Sequence, residues 1–290
     1  MRLATYASVA TAGMLVVVKF GAWVYTDSVS LLSTLLDSLL DAAASILNLI
    51  AVRHALTPAD REHRFGHGKA EPLAALGQST FIAGSAIFLT IEAGHRLYAP
   101  QAVEHAQAGI AVMVFAIVVT FILTRFQAYV VRKTGSVAIQ ADSLHYVGDL
   151  LVNGAVILAL LAVSQLGWIH ADPLFGLGIA GYILYNAWKI ARGALDMLMD
   201  RELPEEARQR IKEIALGHAE VLDLHDLRTR TSGRQTFIQL HLEMDGKMPL
   251  HDAHEVADAV EAELLRAFPE AEVIIHEDPH GVEEHRAQFG

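Results

Sequence analysis

The sequence predicts a polytopic α-helical membrane protein with six transmembrane helices, followed by a C-terminal α+β domain of order αββαβ. Three observations predict it. The 290-residue chain is 53% hydrophobic with a mean hydropathy of +0.34. Its apolar runs reach the length of about 20 residues that a bilayer crossing needs. Charge is also unevenly spread: residues 1–200 hold 12 Lys/Arg and 13 Asp/Glu, whereas residues 201–290 hold 10 and 20. An apolar part, 1–199, therefore precedes a small acidic part, 200–290. A soluble protein with unusually apolar buried helices is the rival reading, and the length of the runs argues against it.

The predicted spans are 5–25, 31–54, 73–97, 107–130, 138–163 and 173–195. The first reads as a retained membrane helix, since a basic start and a cleavage site are missing. The second and fifth are interrupted by acidic groups and the fourth by Arg125. Arg61, Arg64 and Lys69 lie in the connection at 54–72, and Arg132 and Lys133 in the one at 131–137. The loops near 26–30, 98–106 and 164–172 contain no Lys or Arg. The positive-inside rule then puts both termini and the acidic part in the cytoplasm.

In the second span, LLDSLLDAAAS sets Asp37 and Asp41 four residues apart, on one helix face. Two carboxylates side by side in an apolar element repel each other and lose hydration, so they call for a positive partner. The fifth span begins ADSLHYVGD, where His145 and Asp149 repeat the spacing and Asp142 can join that face loosely. Set against each other, the two helices offer Asp37, Asp41, His145 and Asp149 as a tetrahedral shell for a divalent ion such as Zn2+. Intramembrane charge is costly and is usually functional. Imidazole and carboxylate bind metal only when deprotonated, so protons compete with the ion, and cation–proton antiport follows as an expectation.

The loop ADREHRFGHGKAE holds Asp60, His63 and His67, with Gly66 and Gly68 permitting a tight turn. These three ligands suit a more exposed metal site with water as a fourth. Beyond residue 200 the reading is a helix at 204–217, strands at 220–230 and 234–244, a helix at 250–268 and a strand at 271–279, forming two helices on a three-stranded sheet. The strands carry His225, His241, His276 and Asp278, and the second helix carries His254. Together they suit a binuclear site bridged by Asp278, with His251, His280 and His285 as competing ligands.

The acidic balance argues against nucleic acid as a partner. The absence of cysteine excludes disulfides and thiolate metal sites. An enzyme is not expected, because the buried quartet leaves neither an open coordination position nor a separate general base.

LLDSLLD, HYVGD, ADREHRFGHGKAE, HDLRTRTSGRQTFIQLHLEM and VIIHEDP together resemble the cation diffusion facilitator family, in particular its bacterial zinc/iron exporters. The resemblance implies a homodimer in the cell inner membrane with six membrane helices per protomer, a metallochaperone-like cytoplasmic domain, and alternating access coupled to inward proton movement. By residue match it implies a transport site at Asp37, Asp41, His145 and Asp149 and a loop site at Asp60, His63 and His67. It likewise implies a cytoplasmic site at His225, His241, His254, His276 and Asp278. A histidine in the transport quartet resembles the zinc or cadmium members, whereas aspartate there marks manganese. Zinc leads as transported and regulatory ion; Fe2+, Cd2+, Co2+ and Mn2+ stay open, since imidazole suits several of these metals. A membrane metal sensor that moves no ion is the alternative function.

Overall fold

The structure is a computed structural model describing residues 1–26, 29–98, 107–166 and 170–282. Parts of the loops expected at 26–30, 98–106 and 164–172, and His285, lie outside the described residues. The chain divides into two compact units, Met1–Leu195 and Asp196–Gly290.

Six long helices make up most of the first unit: α1 (Arg2–Thr26), α2 (Val29–Ala55), α3 (Ala70–Tyr98), α4 (Gln107–Thr134), α5 (Val137–Leu166) and α6 (Ala171–Leu198). Each run is rich in Leu, Ala, Val and Ile, which propagate helix readily when tertiary packing supplies a face. Small residues set that face. Ala75, Ala86, Ala141, Ala187 and Ala194 are fully or almost fully buried and pack with Ile82, Leu144, Ile183 and Ile190. Small side chains let helix backbones approach closely, which suits association in lipid. The outward faces carry exposed Leu, Ile, Val and Phe side chains.

The expectation of six transmembrane helices is corrected here. Among the described residues four helices are long and apolar enough to cross a membrane: Arg2–Tyr25, Thr34–Ala55, Ala70–His95 and Val112–Thr134. α5 and α6 are of similar length and are not among these four. The described face of α5 is broken by Gln140, Asp142, His145, Asp149 and Asn153. In α6 the glycines at 176, 178 and 181, with Asn186, Lys189 and Arg192, dilute the apolar character.

The second unit runs α7 (Glu205–Ala215), β1 (Asp223–Ser232), β2 (Gln235–Met244), α8 (Leu250–Ala267) and β3 (Ala271–Pro279). Pro204 precedes α7 and Pro249 precedes α8, where the missing N–H costs nothing. Glu205 and Glu206 open α7, and Arg266 closes α8, each matching the helix dipole. β1 and β2 pair antiparallel through a tight turn in which Gly233 takes a φ of 62°. β3 adds parallel to β2, the crossover being α8. Ile211, Ile238, Leu240, Leu242, Val260 and Leu264 form the core between the helices and one sheet face. Period-two alternation then sends His241 and Glu243 of β2 to the other face.

Candidate metal sites

Among the described residues three groups of ligand-type side chains come together, each with its donor atoms within 4.8 Å of one another: Asp41, His145 and Asp149; Asp60, His63 and His67; His225, His241 and Asp278.

The first group joins α2 to α5. His145 Nε2 lies 2.8 Å from Asp41 Oδ1 and 3.9 Å from Asp149 Oδ2. Asp37 stands outside the tight trio, yet it lines the same cavity of about 640 Å3 with Asp41, His145 and Asp149. Phe81, Ile82, Phe88, Leu89 and Ile183 supply much of the remaining wall. The cavity thus gathers ionisable oxygens and an imidazole at one place in an otherwise apolar lining. The backbone of α5 comes close to α6 here: a Cβ on Gly148 would meet Ile183 Cδ1 at 3.1 Å.

Asp142 does not join that group. Its side chain is buried and accepts hydrogen bonds from Ser8 Oγ (2.6 Å), Gln127 Nε2 (2.7 Å) and Gln78 Nε2 (3.2 Å). One turn on, Tyr146 Oη is 2.8 Å from Ser45 Oγ. Through these contacts α5 is tied to α1, α2, α3 and α4. Lys19 is a further group that the sequence reading passed over. Its Nζ donates to Ser38 Oγ at 2.7 Å and to the Thr34 carbonyl at 3.1 Å, placing a positive charge beside the carboxylates of α2 and α5. A lone lysine in an apolar run gives no spacing signal. Only the packing of α1 on α2 shows what it serves. Asn153 donates to the Asp149 carbonyl within its own helix.

In the second group the turn around Gly66, with φ 73°, folds the loop back on itself. Asp60 Oδ1 accepts the backbone N–H groups of His63 (2.7 Å) and Glu62 (2.9 Å) and lies 3.3 Å from His63 Nδ1. The His63 N–H is the main reason that the Asp60 carboxyl is held below the usual range. His67 Nε2 lies 3.4 Å from Asp60 Oδ2. Whereas Asp60 and His63 are exposed, His67 is buried, its ring packed against those of His63 and His54 at 4.5 Å. His54, at the end of α2, was not singled out in the sequence.

The third group occupies the sheet face opposite the helices, because His225, His241 and His276 are register partners across three strands. Asp278 Oδ2 lies 2.7 Å from His241 Nδ1 and 3.3 Å from His225 Nε2, while its Oδ1 lies 3.0 Å from His276 Nε2. The two oxygens of one carboxylate therefore face different imidazoles. Burial works against the charged form of Asp278, but the His241 hydrogen bond and the neighbouring His276 and His225 rings outweigh it and hold the carboxyl below its usual range. Glu243 is the residue that the sequence missed. It is buried, with Oε1 3.1 Å from His225 Nδ1 and Oε2 2.9 Å from His280 Nδ1. Its signal was available, since it lies two residues after His241 on the same strand face. His254 does not enter the group. It is exposed on α8, 3.6 Å from Glu277 and 3.7 Å from Asp258.

Two family descriptions match the chain in tandem: the cation efflux transmembrane domain over residues 5–199 and the cation efflux protein cytoplasmic domain over residues 203–280. The chain belongs to the cation diffusion facilitator family. Membership makes it a multi-pass membrane transporter of divalent metal cations that dimerises, and not an enzyme. Among its relatives is the cation-efflux pump FieF of Shewanella oneidensis, 51% identical over 283 residues, which are 98% of this chain and 95% of the relative. The FieF pump of Yersinia pestis strain Pestoides F is 51% identical over 282 residues, 97% of this chain and 94% of that one. Among solved structures, the metal-bound C-terminal domain of the CzcD transporter from Thermotoga maritima is 32% identical. It covers 27% of this transporter and 93% of that chain, with a TM-score of 0.27.

Proposed function

We propose that this transporter is a proton-coupled antiporter that exports divalent cations from the cytoplasm, Zn2+ first among them. The carrying observation is the convergence of Asp41, His145 and Asp149 from two helices, with Asp37 lining the same cavity. Three carboxylates and an imidazole offset a double positive charge and offer four donors, the number that Zn2+ takes. The same groups take up protons when the ion leaves, so a more acidic exterior favours release and the cytoplasm favours loading. Residues 1–199 serve as the transmembrane domain and residues 200–290 as a cytoplasmic domain for metal binding and dimerisation. Arg61, Arg64 and Lys69 after α2 and Arg132 and Lys133 at the end of α4 support cytoplasmic placement of these connections and of both termini.

The loop trio and the sheet trio act as accessory sites, loaded from the cytoplasm. Relatives named for cation efflux at 51% identity support export as the direction. Purified transporter in liposomes tests the proposal. Zn2+ flux under an imposed pH gradient is expected to follow the gradient and to fall on the order of 100-fold in Asp41→Ala and His145→Ala. Flux independent of pH would remove proton coupling, and no flux at all with intact binding would leave a metal sensor. Competition with Fe2+, Cd2+, Co2+ and Mn2+ in the same vesicles ranks the cargo.

A further inference from the structure

A second cavity, of about 330 Å3, opens among α4, α5 and α6 and shares no lining residue with the cavity of the metal cluster. Its lining includes two cations, Arg132 of α4 and Lys189 of α6, and no carboxylate. Gln140, Ser143 and Asn186 add neutral polar groups, and Val131, Val147 and Ile190 are among its apolar lining. A volume of this size falls at the lower end of small-ligand sites.

Its position bears on what it takes. Arg132 lies in the last turn of α4, at the end of the candidate span Val112–Thr134. Large aromatic side chains of α4 and α6 are exposed. Tyr129 is 56% exposed, Tyr182 50%, Tyr185 66% and Trp188 64%. Lys133 Nζ sits 5.3 Å from the centre of the Tyr129 ring. Exposed Tyr and Trp beside Lys and Arg at a helix end mark the depth of lipid headgroups. We propose that this cavity binds the phosphate-bearing headgroup of an anionic phospholipid. The planar Arg132 guanidinium suits the phosphate oxygens, Lys189 adds a point charge, and the neutral donors suit headgroup hydroxyls. Paired cations beside the span of α4, with no carboxylate in the lining, favour an anionic over a zwitterionic headgroup. The apolar side of the cavity receives the first methylenes of the acyl chains.

Native mass spectrometry of the full chain in mild detergent tests this, with phosphatidylglycerol, phosphatidylethanolamine, glycerol 3-phosphate and inorganic phosphate as probes. Phosphatidylglycerol is expected to be retained at least about fivefold more tightly than phosphatidylethanolamine. Each cation contributes about a fivefold factor, so the double variant R132Q/K189Q is expected to lose about 25-fold. R132K/K189R should retain the lipid, which separates loss of charge from loss of fold. Arg234→Gln, the loss of one positive charge in the second unit, should retain it too. Equal retention of phosphatidylethanolamine, undiminished binding by R132Q/K189Q, or displacement by equimolar inorganic phosphate would each overturn the proposal. Retention by a monomer but exclusion from a dimer would also overturn it, assigning the face to a second copy of the chain.

Discussion

Asp278 shows how one side chain sets the chemistry of its surroundings. Its oxygens face His225, His241 and His276, and those groups hold its carboxyl below the usual range despite its burial. A carboxyl depressed in the folded state stabilises the fold fully above its ordinary pKa of about 4, and that contribution fades as pH falls through the lowered value. Between pH 5 and 8 Asp278 therefore stays charged, and protons compete with metal through imidazole. Zn2+ affinity of the sheet site, measured by calorimetry, is expected to drop on going from pH 7.5 to 5.5, and Asp278→Asn to lower it roughly 10- to 100-fold at pH 7.5. Affinity that is unchanged between the two pH values would remove the histidines as ligands.

Asp142 makes a different case. Asp142→Ala would leave Ser8, Gln78 and Gln127 facing a buried gap without their shared acceptor. Each stranded group costs about 1–3 kcal/mol, so thermal stability is expected to fall, while Asp142→Asn, which keeps an acceptor oxygen, falls less. Equal melting temperatures for both variants and the parent would show that the network carries no stability. The spacing to His145 placed Asp142 loosely on the ligand face. Only its contacts with three other helices show that its carboxylate is taken up by Ser8, Gln78 and Gln127.

At the level of elements, what could be read depended on the strength of local periodicity. Four-residue spacing placed Asp37 with Asp41 and His145 with Asp149, because helix geometry alone fixes which positions share a face. Alternation in QTFIQLHLEM separated Leu240 and Leu242 from His241, yet Glu243 was not singled out. Its burial and its contacts with His225 and His280 depend on strand register, which no single strand encodes. For His254 helix periodicity found α8, and the core-facing stripe of Ala253, Ala257, Val260 and Leu264 leaves its side chain exposed beside Glu277. That stripe gives an element-scale prediction. Leu264, fully buried among Ile211, Leu240 and Val260, should cost about 2–5 kcal/mol as Leu264→Ala. Chemical denaturation followed by a probe in the second unit measures it, and a loss below about 1 kcal/mol would contradict the packing described.

The whole molecule combines an apolar unit and an acidic one. In the four candidate spans only 22–33% of the apolar window is buried by protein, so most of that surface needs lipid or a second copy around it. Run length alone counted six spans, whereas among the described residues four helices are long and apolar enough to cross a membrane. The excess of acid in residues 201–290 makes two copies of this part repel each other. Zn2+ is therefore expected to tighten the dimer by more than screening with equal ionic strength of NaCl does, and His241→Ala to abolish the difference; sedimentation equilibrium measures both. Identical dimer constants in Zn2+ and NaCl would exclude metal-linked assembly.

The most direct measurement is Zn2+ export into the lumen of inverted vesicles by a variant in which the loop and sheet sites are removed together, through His63→Ala, His67→Ala, His241→Ala and Asp278→Ala. With Asp37, Asp41, His145 and Asp149 intact, this variant is predicted to keep a measurable flux, and adding Asp41→Ala is predicted to abolish it. Flux that survives Asp41→Ala, or that vanishes when only the two outlying sites are removed while the protein stays folded, would contradict the claim that the helix-borne cluster carries the ion.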